Sequence, residues 1–116
     1  MFKLCFILIF LSTPCYAWDK GDTVREVVWQ GLHIVDWGQT LEIARHPDKF
    51  NEMNPLMGKH PSVGRVNTYM GLSAMGHLII SYVLPDKYRI YWQWITIGMS
   101  GACVINNFNI GLKVRF

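Results

Sequence analysis

Three side chains stand out as able to do chemistry together: His33 and Asp36, three residues apart, and His77 in a later segment. A spacing of three places His33 and Asp36 on one face of a helix, where an imidazole and a carboxylate can share a ligand or a proton. Two imidazoles and a carboxylate suit zinc or another transition metal, and the same set could serve as a proton relay. The plainer reading, and the preferred one, is that Asp36 hydrogen-bonds His77 or Asn107 and holds helices in register as buried polar glue. Thr40 continues the same stripe one turn after Asp36. Asn67 and His77, and then Gln93, Thr96, Ser100 and Asn107, form matching stripes on two later segments.

A second concentration of polar residues lies in the connector that follows: Glu52, Asn54, Pro55, Gly58 and His60. Asn54-Pro55 is a cap followed by a first-turn proline, so a short helical turn is expected over 55–59. Glu52 and Asn54 have the reach to accept from connector backbone N–H groups and fix the loop, which accounts for them better than catalysis does. His46 and His60 read as capping or surface histidines. There is no nucleophile elbow, phosphate loop or His-Glu-x-x-His helix.

The elements that must position these groups are helical. Thr23-Val-Arg-Glu26 fits a capping box, and Pro47 ends what it begins, which predicts a helix over about 23–46. That helix is about 22 residues, roughly 33 Å, long enough for a bilayer but the least apolar of the three. A second helix is expected over about 65–84, closed by Pro85, and a third over about 87–110, closed by Gly111. Asp86 is placed to cap the third helix, with Lys87 and Arg89 at the charged tip of the hairpin. Tyr88, Tyr91, Trp92 and Trp94 resemble an aromatic belt, and Gly98, Ser100, Gly101 and Ala102 permit close helix approach.

Composition agrees with a lipid setting. The chain has 116 residues, 51% of them hydrophobic, and only 16% are charged, against about 25% in soluble domains. The net charge of +3 is small and the cations are dispersed, so no nucleic-acid footprint is visible. Residues 1–17 read as a secretory signal cut after Ala17: Lys3, an apolar run from Leu4 to Leu11, and a small residue at the end. Cleavage leaves Cys103 as the one thiol, so a disulfide scaffold is excluded and helix packing must supply stability. The fold expected is thus all-α: a three-helix membrane bundle at 18–116 with a Pro-rich connector between the first two helices. Its amino end is exported and its carboxyl end cytoplasmic, in a bacterial inner membrane. Cations divide six to four in favour of the cytoplasmic side.

The runs D-W-G-Q-T (Asp36 to Thr40), E-M-N-P (Glu52 to Pro55) and G-K-H-P-S-V-G-R-V-N-T-Y (Gly58 to Tyr69) resemble an uncharacterised family of small membrane proteins from tailed bacteriophages, prophages and proteobacterial genomes. Tyr91-Trp92-Gln93-Trp94, Asn106-Asn107 and Gly111 also fit, so the resemblance covers nearly all of the mature chain. It implies a phage or bacterial membrane setting and no particular catalysis. The function expected is that of a small, non-enzymatic inner-membrane protein that contacts lipid and binds another membrane protein or itself. The alternative is an intramembrane metal or acid–base site built from His33, Asp36 and His77. No organic cofactor is expected, and a divalent metal enters only with that alternative.

Overall fold

Capping chemistry sets where each helix begins. In the computed structural model, which describes residues 18–116, α1 spans Lys20–Arg45, α2 Val63–Val83 and α3 Asp86–Asn109. The expected signal peptide at 1–17 lies outside the described residues. α1 starts earlier than its Thr23-based box suggests because Asp19 is the cap. Its carboxylate accepts from the Asp22 N–H at 2.8 Å while Asp22 accepts from the Asp19 N–H at 3.0 Å, a reciprocal pair using Asp in place of Glu. Ser62 caps α2 by accepting from the Arg65 N–H at 3.1 Å. Pro85, not Asp86, occupies the cap position of α3, and Asp86 lies in the first turn, where a carboxylate suits the helix dipole.

α3 ends in a Schellman arrangement. The Gly111 N–H donates to the Phe108 carbonyl and the Leu112 N–H to the Asn107 carbonyl, with Gly111 at φ 92°, a conformation that favours glycine. The chain then turns back along α1. The Arg115 N–H donates to the Gly38 carbonyl at 3.3 Å, and Arg45 Nη1 donates to the Arg115 carbonyl at 3.0 Å. Gly38 is required for that approach: a Cβ there would stand 2.5 Å from Val114 and 2.9 Å from the Phe116 ring.

α1 is the central helix, packed along both α2 and α3, while α2 and α3 touch each other least. The described residues form an all-helical three-helix bundle with no strand. A small apolar core of Leu41, Met57, Val66 and Met70, flanked by Trp37 and Tyr69, forms where the connector docks on α1 and α2. Met57 is the connector's anchor in it, and this anchoring brings Glu52 and Asn54 against the helices.

The three bilayer crossings expected from the sequence meet a contrary finding: among the described residues, no helix is long and apolar enough to cross a membrane. Length is not what is missing, since the helices run 26, 21 and 24 residues, or about 31 to 39 Å at the standard rise. Apolarity is. α1 alone carries Asp22, Arg25, Glu26, Asp36 and Glu42, and α3 carries Arg89, Gln93 and Asn107.

Candidate functional site

Eleven polar side chains of the described helices are buried, and those nearest Trp29 sort into two groups on either side of it. Its indole stacks on His77 with centroids 3.6 Å apart and on His33 at 4.5 Å. The aromatic ring therefore stands between the two imidazoles, and His33, Asp36 and His77 are not brought to one point. Among the described residues, no three His, Cys, Asp or Glu side chains are grouped so as to hold a metal ion.

On one side of Trp29 lies a hydrogen-bond network centred on Glu26. His77 Nδ1 lies 2.9 Å from Glu26 Oε1, which also accepts from Gln30 Nε2 at 3.0 Å. Ser81 Oγ donates to Glu26 Oε2 at 2.9 Å. Trp92 donates from Nε1 to Ser81 Oγ at 3.0 Å, and its ring covers His77 on the side away from Trp29 at 4.9 Å. His77 Nε2 reaches Thr96 Oγ1 at 2.8 Å. Glu26, His77 and Ser81 are all buried, so each depends on the others for the hydrogen bonds that water would otherwise provide.

Arg89 extends this network. The hairpin sequence places it at an exposed tip beside Lys87, but the structure buries it completely. Its Nη1 pairs with Asp22 Oδ2 at 2.9 Å. Its Nε donates to the Ser81 carbonyl at 2.6 Å and its Nη2 to the Leu84 carbonyl at 2.9 Å. Those carbonyls belong to the end of α2, where helical acceptors lack backbone partners, and the planar five-donor guanidinium can reach several at once. Arg25 completes the cluster, pairing with Asp22 and donating from Nε to Gln93 Oε1 at 2.9 Å. Asp22, Arg89 and Gln93 thus tie the starts of α1 and α3 to the end of α2.

The other side of Trp29 holds a cavity of about 300 Å³ whose walls include His33, Asp36, Glu52, Asn54, Tyr69 and Cys103. It is the meeting place of the two motif regions, D-W-G-Q-T on α1 and E-M-N-P in the connector. Within the first motif, Asp36 Oδ1 accepts from Asn107 Nδ2 at 3.1 Å. Thr40 Oγ1 donates to the Asp36 carbonyl at 2.7 Å. Gln39 accepts from Asn107 Nδ2 at 3.0 Å and donates to the Val104 carbonyl at 3.3 Å. Trp37 donates to Asn67 Oδ1 at 2.8 Å. Most of this motif is therefore spent on docking α1 to α2 and α3.

Within the second motif, Glu52 Oε1 accepts from the Asn54 N–H, and Asn54 Oδ1 accepts from the Leu56 N–H, both at 3.0 Å. Asn54 Nδ2 donates to the Tyr69 hydroxyl at 2.9 Å. Pro55 leads the tight turn at 55–57 and Gly58 follows at φ 83°, while His60 is exposed and far from chemistry. Glu52 Oε2 is sealed from solvent without a hydrogen-bond partner. Burial pushes the Glu52 carboxyl above its ordinary range; the Asn54 N–H opposes this and the negative charge of Asp36 adds to it.

His33 is buried and its Nε2 donates to the Met70 carbonyl at 2.9 Å, which in the neutral ring leaves Nδ1 as an acceptor. Cys103 contacts Asp36 Oδ1 through its thiol at 3.7 Å. Glu26, Ser81, Asp22 and Arg89, absent from the sequence-based site, are the residues that reasoning from pattern missed. Glu26 had a signal, since it shares the stripe of His33 and Thr40. Comparison of the chain with family models, with curated proteins and with solved structures returned no match.

Proposed function

We propose that this chain is a small bilayer-seated helical bundle, a non-enzymatic membrane component held together by its ionic interior. One observation carries the reading: the bundle is inverted. Its buried side chains include Asp22, Glu26, His33, Gln39, Arg89 and Gln93, while Val27, Ile34, Leu72, Leu78, Ile95 and Ile105 point outward. A monomer in water rarely exposes apolar surface on that scale, whereas ionisable groups at membrane depth face the bundle interior and pair with one another. Hydropathy averaged around a helix counts residues that lipid would never meet. That is how helices of sufficient length can be too polar on average to cross a membrane and still present an apolar outer face.

The motif resemblance and the distribution of cations support a bacterial inner-membrane seat with the amino end exported and the connector and carboxyl end cytoplasmic. The outward apolar faces would serve lipid, a second copy or another membrane protein. The alternative site built from His33, Asp36 and His77 draws no support from an arrangement that puts Trp29 between the histidines. Reconstitution into vesicles containing lipids brominated along the acyl chain tests the seat. Trp94, which is exposed, is expected to be quenched. Unquenched fluorescence, with protein remaining outside the vesicles, would contradict it.

A further inference from the structure

The cavity beside Trp29 is lined by two carboxylates with no Lys or Arg among its described walls. Glu52 Oε2 is sealed off without a partner. The hydrogen bonds made to Asp36 fall on Oδ1, so none of the described residues satisfies Oδ2. His33, only 6% exposed, uses Nε2 on the Met70 carbonyl and leaves Nδ1 unbonded. A buried acceptor without a donor costs free energy comparable to a lost hydrogen bond. Glu52 Oε2 is such an acceptor, and with the unbonded Oδ2 of Asp36 and Nδ1 of His33 on the walls of the same space it marks a site suited to something that brings donors and positive charge.

The geometry points to a small primary ammonium, an amine-bearing organic cation, as the ligand of this cavity, its –NH₃⁺ group received by Glu52, Asp36 and His33. The head group has three donors and no acceptor, so it can satisfy Glu52 Oε2 and still have donors for Asp36 and His33. A bare metal ion fits less well, because no three of the His, Cys, Asp and Glu side chains described are grouped to ligate one. The rest of the wall includes Met57, Met70 and Met99, flexible and polarizable side chains that can close over a short alkyl tail. At about 300 Å³ the cavity sits at the lower end of the range for small-molecule sites. Connector and helix supply one carboxylate each, so the ligand would also clamp the connector to α1.

Titration calorimetry on the full chain in detergent, with n-butylammonium chloride as probe and n-butanol and tetramethylammonium as controls, tests this. The expected result is saturable one-to-one binding of butylammonium, no binding of butanol, and affinity reduced by at least about tenfold in each of Glu52→Gln and Asp36→Asn, the usual cost of losing a charged hydrogen bond. Circular dichroism confirms that both variants fold. Met99→Trp, which fills the tail end without touching the carboxylates, is expected to block binding as well. Absence of saturable binding to the unaltered chain would overturn the proposal. So would tetramethylammonium binding as well as butylammonium, zinc binding in its place, or affinity unchanged in folded Glu52→Gln and Asp36→Asn. The site lies within the bundle, so this result is independent of whether the bundle sits in lipid.

Discussion

The indole of Trp29 lies 3.6 Å from the imidazole of His77, with the ring planes 4° apart. The contact closes one face of His77, and Trp92 covers the other. The edge nitrogens are thereby directed to Glu26 and Thr96. The imidazole is a structural element, placed by two aromatic walls and paired with a buried carboxylate.

That pairing gives the first prediction. Removing a buried acceptor strands the donors it satisfied, here those of Ser81 and Gln30 among them, and costs about 1 to 3 kcal/mol for each. Glu26→Ala is expected to destabilise the bundle on that scale, read by denaturant titration of the helical signal. Gln30→Ala, which removes one neutral hydrogen bond to the same carboxylate, is expected to cost about 1 kcal/mol.

Arg89 gives a sharper test, because it binds a carboxylate and helix-end carbonyls at once. Arg89→Lys keeps the charge and loses the fork, and it is expected to destabilise by about 2 kcal/mol or more. A double-mutant cycle of Arg89→Lys with Asp22→Asn is expected to show coupling on the order of 0.5 to 3 kcal/mol. Strict additivity would mean that the two side chains do not act as a pair.

How much of this was legible in the sequence depends on what each residue meets. The three helices were readable because Pro47, Pro85 and Gly111 punctuate them, but the caps were not: Asp19 and Pro85 stand where Thr23 and Asp86 were expected. The inward stripe of α1 was readable from its spacing. The fate of Arg89 was not: a cation three residues after a helix start looks like an exposed tip unless Asp22, on another helix, is known to face it. The proposed His33, Asp36 and His77 cluster failed for a similar reason. Spacing placed the first two on one face, but only packing could show Trp29 inserted before the third. In α1, charges paired across the bundle look in sequence like isolated polar residues, so hydropathy alone could not show which of them face inward.

Gly38 tests the docking of the returning carboxyl segment. Gly38→Ala drives a methyl group into Val114 and Phe116, an overpacking expected to cost about 1 to 3 kcal/mol. Val114→Ala in the same chain should recover part of that loss. The recovery would be read as a shift of the melting temperature towards the parent value.

Glu52 predicts a pH dependence. Burial holds its carboxyl above the ordinary value of 4.5, so the folded chain binds its proton more tightly than the unfolded chain does. Stability from this group is therefore full below about 4.5 and falls as pH rises from there through the folded value. Glu52→Gln, neutral throughout, is expected to flatten the melting temperature over that window. A slope unchanged in the variant would assign the dependence to another group.

The inverted distribution of side chains is the central claim, and extraction of expressed membranes at alkaline pH tests it most directly. The chain is expected to stay in the membrane pellet, as a bundle with Val27, Leu72 and Ile95 facing lipid would. Release of folded chain into the supernatant would contradict the account, because those apolar faces would then have to be covered by something other than a bilayer.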